Sequence, residues 1–188
     1  MRYAQVRSMD ISNGEGIGVS LFVQGCPFNP HCYNCFNTET WDFNGGKEWT
    51  PEVEDKLIEL ANKPYIKRLS ILGGEPLADE NLDGVLHLVD RFRLLLPNKT
   101  IWIYSGYKWK ECQPFNDDGI LKPNKFAPNL QNILKKRYEI ISQCNVMVDG
   151  RYIDSQRDIT LKWRGSNNQR VIDIKQSLQQ NKVILYCD

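Results

Sequence analysis

The chain has 188 residues, and its 24 Lys and Arg against 23 Asp and Glu leave a net charge of +1. That length supports one domain with a sizeable core, and the basic residues form no block of the kind a nucleic-acid partner favours. No apolar run approaches the length needed to cross a membrane, MRYAQVRSMD lacks the apolar core of a signal peptide, and a reducing cytoplasm is the expected compartment.

Residues 19–24, VSLFVQ, predict a short apolar strand that runs into Gly25 and a loop carrying Cys26, Cys32 and Cys35. TWDFNGGKEW follows, rich in aromatics and turn residues. Thr50-Pro51-Glu52 opens a helix with a hydroxyl cap, a first-turn proline and an acid near the positive end. Val53, Leu57, Ile58 and Ala61 share its apolar face. RLSILGGEP predicts a buried strand over Leu69, Ile71 and Leu72 that stops at Gly73-Gly74. Leu82, Val85, Leu86, Val89, Phe92, Leu95 and Leu96 recur at helical spacing, and Pro97 ends that helix. TIWIYSGY is a strand again. Residues 108–128 carry Pro114, Pro123 and Pro128 with little periodicity and predict a long surface loop. Residues 129–142 predict a helix, and NVMVDG a strand entering a turn. LKWRGSNNQRVIDI and KVILY add one or two strands at the end.

Strand and helix alternate as in βαβ proteins with parallel strands. The expected class is α/β: one domain over 1–188, an incomplete β/α barrel of mostly parallel strands with a loop insertion at about 108–128. Such folds carry their sites on loops at the carboxyl ends of the strands. The cysteine loop, the Gly-Gly-Glu-Pro turn, the Ser-Gly turn and the Asp-Gly turn all follow predicted strands, so parallel strands bring all four to one mouth.

Of six cysteines, three are clustered and Cys112, Cys144 and Cys187 are scattered, which fits a metal site plus bystanders better than a disulfide framework. Three thiolates cannot complete a four-sulfur shell. One reading is structural zinc with His31 as fourth ligand, although His31 and Cys32 are awkward neighbours on one tetrahedron. A second is a closed cluster completed by one of the scattered thiols. A third is a 4Fe–4S cluster with one open iron, able to chelate the amino and carboxylate groups of S-adenosylmethionine and start radical chemistry.

Gly73-Gly74-Glu75-Pro76 suits close approach to the cofactor's methionine end, or is an ordinary strand-to-helix turn. Ser105 is a candidate contact to the cofactor or a turn hydroxyl. Asp149 faces the mouth or serves its own turn, and Arg164 pairs with a carboxylate or is structural. Trp41, Trp102 and Trp163 read as packing, and His87 as an ordinary residue within a helical pattern.

GCPFNPHCYNC followed by LGGEP resembles the radical S-adenosylmethionine superfamily. DISNGEGIGVSLFVQGC, CFNTETWDFNGG, YSGYKW, VMVDGRY and LKWRGSNNQR resemble, within it, the activating proteins of anaerobic ribonucleoside-triphosphate reductases. The resemblance spans roughly 3–172 and is poor over 108–134. It implies a 4Fe–4S cluster on Cys26, Cys32 and Cys35, with S-adenosylmethionine lined by Asn34, Cys35, Phe36, Gly73, Gly74, Glu75 and Ser105. It implies reductive cleavage of that cofactor, a glycyl radical formed on the large reductase subunit as protein substrate, and an outside electron donor such as a flavodoxin. Five residues, Pro27 to His31, separate the first two cysteines where the superfamily has three. Two other assignments compete: a small radical enzyme resembling 7-carboxy-7-deazaguanine synthase, and a zinc-bound interaction module without catalysis.

Overall fold

The computed structural model describes residues 1–114 and 128–187. In chain order the elements are β1 (Arg2–Asp10), β2 (Gly18–Val23), β3 (Lys47–Glu48), α1 (Pro51–Ala61), β4 (Arg68–Gly73), α2 (Leu82–Leu95), β5 (Thr100–Ser105), α3 (Pro128–Gln143), β6 (Val146–Asp149), β7 (Arg170–Asp173), α4 (Ile174–Gln180) and β8 (Leu185–Cys187). All strands join one sheet in the order β3-β1-β2-β4-β5-β6-β7-β8.

The centre of that sheet is parallel, β2 to β4 to β5 to β6. Its strands are short apolar runs, and β2 is buried along its whole length, as parallel strands covered on both faces require. The flanks are antiparallel: β1 on β2, β3 on β1, β7 on β6 and β8 on β7. The sequence pattern predicts the parallel centre but neither β1 nor α4. β1 is half-buried or exposed until Asp10, so its alternation is faint. α4 is seven residues long, too short for a clear helical period, and it starts on the Asp173 side-chain cap.

Alternation sorts the two faces of the sheet. Val19, Leu21, Leu69, Ile71, Ile101 and Met147 join the buried sides of the helices in one core. Helix α1 opens on the Thr50 cap and buries Leu57, Ile58 and Ala61, while α2 stops one residue before its cap, Leu96, ahead of Pro97. The opposite face carries a second cluster, Trp102, Val146, Val148 and Val171, with Tyr104 and Trp163 packed against it. Among the described residues, segments without α-helix cover this face.

One of those segments, residues 10–17, is organised by a buried polar nest. Arg68 is fully buried. Its guanidinium donates to the Ser70 hydroxyl at 2.9 Å and to the Asp10 carbonyl at 2.8 Å, and it pairs with the Asp10 carboxylate at 3.3 Å. That carboxylate also accepts the Ser12 and Asn13 N–H groups. Gly14, at φ +128, lies so close to Arg68 and Trp102 that a Cβ would stand 2.7–2.8 Å from them.

Of the loop expected over 108–128, Trp109–Cys112 forms a single 3-10 turn with Cys112 buried. Residues 115–127 lie outside the described residues.

Candidate cofactor and metal site

Parallel register sets the strand ends side by side, with Val23 opposite Gly73 and Ser105 opposite Asp149. A cavity of about 600 Å³ opens there. Cys26, Cys32 and Cys35 line it together with Gly73, Gly74 and Glu75, and Phe36 and Ser105 line it too. Asn34 does not: it takes a left-handed turn at φ 53, between Cys32 and Cys35, and its side chain is exposed. Asn tolerates that backbone region better than most residues.

The cysteine loop is held from several sides. Gly25 and Cys26 donate to the Thr40 and Trp41 carbonyls at 2.8 and 3.0 Å. Cys35 N–H closes a turn on the Cys32 carbonyl at 3.2 Å, and the Asn37 N–H points at the Cys35 sulfur at 3.5 Å. The longer stretch between Cys26 and Cys32 has its own supports. His31 stacks on Trp41 at 4.1 Å and 9°, and its Nε2 lies 3.3 Å from the Cys26 carbonyl. Phe28 packs on Tyr107 at 5.0 Å, and Arg151 covers Phe28 at 4.9 Å. The inserted residues therefore link the first loop to those after β5 and β6. Burial pushes the Cys26 thiol up to about 11, with Glu75, Cys32 and Cys35 adding to the rise. A bound metal reverses such a shift by taking the thiolate directly.

All six cysteines are free, and Cys112, Cys144 and Cys187 are not among the lining residues. Burial raises the Cys112 thiol and pushes Cys144 up to about 12, so both behave as inert core thiols. Among the described residues, no set of three or more Cys, His, Asp and Glu side chains converges as a single ion requires.

Glu75 is 1 % exposed, and its carboxylate is committed inside the protein. Oε1 accepts the Leu77 N–H at 2.9 Å and the Ser105 hydroxyl at 2.8 Å, while Oε2 accepts the Gly106 N–H at 2.7 Å. Burial pushes its pKa up to about 7 against the pull of those donors. Ser105 in turn accepts the Tyr107 N–H at 3.0 Å. The pair thus fastens the turn after β4 to the loop after β5. Asp149 is likewise structural: it accepts Trp109 N–H at 2.7 Å and pairs with Arg170, its register partner on β7.

Several supports escape the sequence. Asn81 is buried and donates to the Gln24 and Glu75 carbonyls, both at 3.0 Å. Arg137 on α3 donates to the Leu77 carbonyl at 2.9 Å and lies over Tyr107 at 3.8 Å. Gln169 locks the segment after β6. Asn81 and Arg137 reach partners 57 and 60 residues away, and among charged neighbours such as Glu80, Asp83, Lys136 and Glu139 neither stands out in the sequence.

The profile of a family described as "4Fe-4S single cluster domain" matches residues 12–172. The anaerobic ribonucleoside-triphosphate reductase-activating protein of Salmonella typhimurium is 36% identical over 173 residues, 91% of this chain and 97% of that protein. The protein of the same name from Escherichia coli K12 is 35% identical over the same shares. The one from Enterobacteria phage T4 is 30% identical over 91% of this chain and 93% of its own length.

Proposed function

The chain belongs to the family of anaerobic ribonucleoside-triphosphate reductase-activating proteins, and from that premise we propose how its mouth performs the activation. It is an iron–sulfur enzyme that generates a glycyl radical, and the anaerobic reductase is its protein substrate. We assign the cluster to Cys26, Cys32 and Cys35, with S-adenosylmethionine beside it. What supports this is the meeting of those thiols with the Gly73-Gly74-Glu75 turn in one cavity. The donor set fits in kind: three sulfurs on one loop, with a backbone N–H aimed at Cys35.

Cys26, Cys32 and Cys35 would hold the cluster, and with S-adenosylmethionine beside it the pair would supply one-electron radical chemistry directed at a glycine of the reductase. The chain's residues position and shield. With the Glu75 carboxylate used internally, the backbone of the Gly73-Gly74-Glu75 turn meets the cofactor's amino group. Phe36 flanks the cofactor, Ser105 holds Glu75, and the Phe28 and Trp41 rings exclude water from the sulfur corner. We infer that the sheet curves as an incomplete barrel within one domain over 1–188, a reading its parallel centre supports. An outside carrier such as a flavodoxin delivers the electron, in a reducing cytoplasm compatible with six free cysteines.

The test is anaerobic reconstitution followed by iron analysis and electron paramagnetic resonance. Cys26→Ala, Cys32→Ala and Cys35→Ala should each abolish the reduced-cluster signal, whereas Cys187→Ala should keep it. A signal that survives any of the first three replacements refutes the ligand assignment. Zinc at one per chain with no iron refutes the function.

A further inference from the structure

We propose that Arg164 is a carboxylate clamp built into the wall of the cavity, an assignment that rests on the function proposed above.

The segment from Gly150 to Gln169 leaves β6, crosses the mouth and returns as β7. Its return turn is fixed by its own polar groups. Gln169 Oε1 accepts the N–H groups of Gly165 and Ser166 at 2.9 and 3.2 Å, and its Nε2 donates to the Gly150 carbonyl at 2.9 Å. Asn168 donates to the Arg151 carbonyl at 2.8 Å. Ser166 is fully buried, and its hydroxyl accepts the Ile153 N–H at 3.2 Å.

Inside this turn Trp163 sits at φ 58, a left-handed conformation that bulky residues rarely adopt. Its ring packs edge-on against Trp102 at 4.9 Å. Turning inward there sets the next residue, Arg164, against the cavity. Arg164 Nε is buried and has no hydrogen-bond partner, and no ion pair to Arg164 occurs among the described residues.

The other arginines lining the cavity are engaged differently. Arg7 lies over Phe22 at 4.3 Å and donates to Gln5. Arg151 donates to the Pro30 carbonyl and covers Phe28. Arg157 is exposed at the rim, 6.0 Å from Phe36. The two acids of the lining are held by hydrogen bonds elsewhere: Glu75 by its internal donors, and Asp158 by the hydroxyl and N–H of Thr160, with the Arg164 charge near enough to help keep its carboxyl below the usual range but bonded to neither oxygen. A buried guanidinium nitrogen without an acceptor is unfavourable, and the planar fork matches a carboxylate with two parallel bonds. A rigid turn, a strained residue and a guanidinium whose Nε has no acceptor together describe a site prepared for an incoming carboxylate. S-adenosylmethionine carries one, and the partner protein offers others on acidic side chains; both sources present the same chemistry.

The holoprotein, reconstituted without oxygen, is titrated calorimetrically with S-adenosylmethionine and with its decarboxylated analogue, and separately with the reductase. Wild type, Arg164→Gln and Arg164→Lys are compared. If the cofactor supplies the carboxylate, Arg164→Gln weakens S-adenosylmethionine about ten- to hundredfold. The decarboxylated analogue then stays within about twofold, and Arg164→Lys falls between. If the partner supplies it, both small-molecule affinities hold and the reductase complex weakens by a similar factor. Equal losses for cofactor and analogue mean a structural arginine and overturn the clamp, as does no loss in any titration. Should Arg164→Gln fail to load the cluster, Arg164→Lys gives the same comparison between the two ligands. A wild type that binds normally beside an unaffected variant defeats the clamp alone; a wild type that takes up no cofactor defeats the function and the clamp together.

Discussion

Glu75 shows how one carboxylate holds two turns of a site without facing its ligand. Burial raises its pKa from 4.5 to about 7, so the folded chain binds this proton more tightly than the unfolded chain does. The sign follows from linkage. The stabilisation is complete below the unfolded value of 4.5 and is lost as pH rises through about 7. Above that, both states are charged and the fold bears the full desolvation. Glu75→Gln removes this dependence. Its amide sets a second donor against either the Gly106 N–H or the Leu77 and Ser105 donors, which costs about 1–3 kcal/mol. Thermal melts of both proteins between pH 5 and pH 8 check this: the variant melts lower throughout, and the gap is widest at the acid end. A constant gap would mean Glu75 does not titrate in the fold.

At the level of elements, the cysteine loop and the turn after β4 are joined backbone to backbone. Glu75 N–H bonds the Gly25 carbonyl at 2.7 Å, and Gly74 N–H bonds the Val23 carbonyl at 3.0 Å. A Cβ on Gly74 would stand 2.2 Å from the Gly25 oxygen and 2.8 Å from the Thr40 oxygen, both main-chain atoms that cannot swing aside. Gly74→Ala therefore parts the two turns. It should lower stability by about 2 kcal/mol or more and reduce cluster loading in the same protein, read by denaturant unfolding and iron content. Normal stability with normal iron would show that the junction can yield. This pairing was half legible. The Gly-Gly-Glu-Pro string and the clustered cysteines announce their chemistry locally, and the strand pattern brings them to one edge. The carboxylate's inward role was not legible, because its partners Ser105 and Gly106 lie 30 and 31 residues away. The Asp10–Arg68 nest spans 58 residues and was missed for the same reason. Arg164 stood out in sequence only as one of two readings; its neighbour's left-handed backbone decides how it is presented.

Across the whole molecule, the sheet is apolar and doubly covered at its centre and thinly protected at its ends. β3 has two residues and both are exposed; β8 has three, and Leu185 and Tyr186 are exposed. Amide exchange should follow that gradient. The amides of β2, β4, β5 and β6 should exchange slowest, near the global unfolding limit, while those of β3, β8 and the stretch 153–162 exchange soonest. Mass-resolved exchange on the anaerobic protein measures it. Equal protection across the sheet would contradict a core concentrated in its parallel strands.

The described helices guard one side of that sheet; the other is roofed by segments 10–17 and 150–169, tied down by Asp10 and Gln169. Wall and awning are thus separate pieces of architecture. Descendants of this scaffold could recut the awning to admit a differently shaped visitor while leaving the iron-bearing corner untouched.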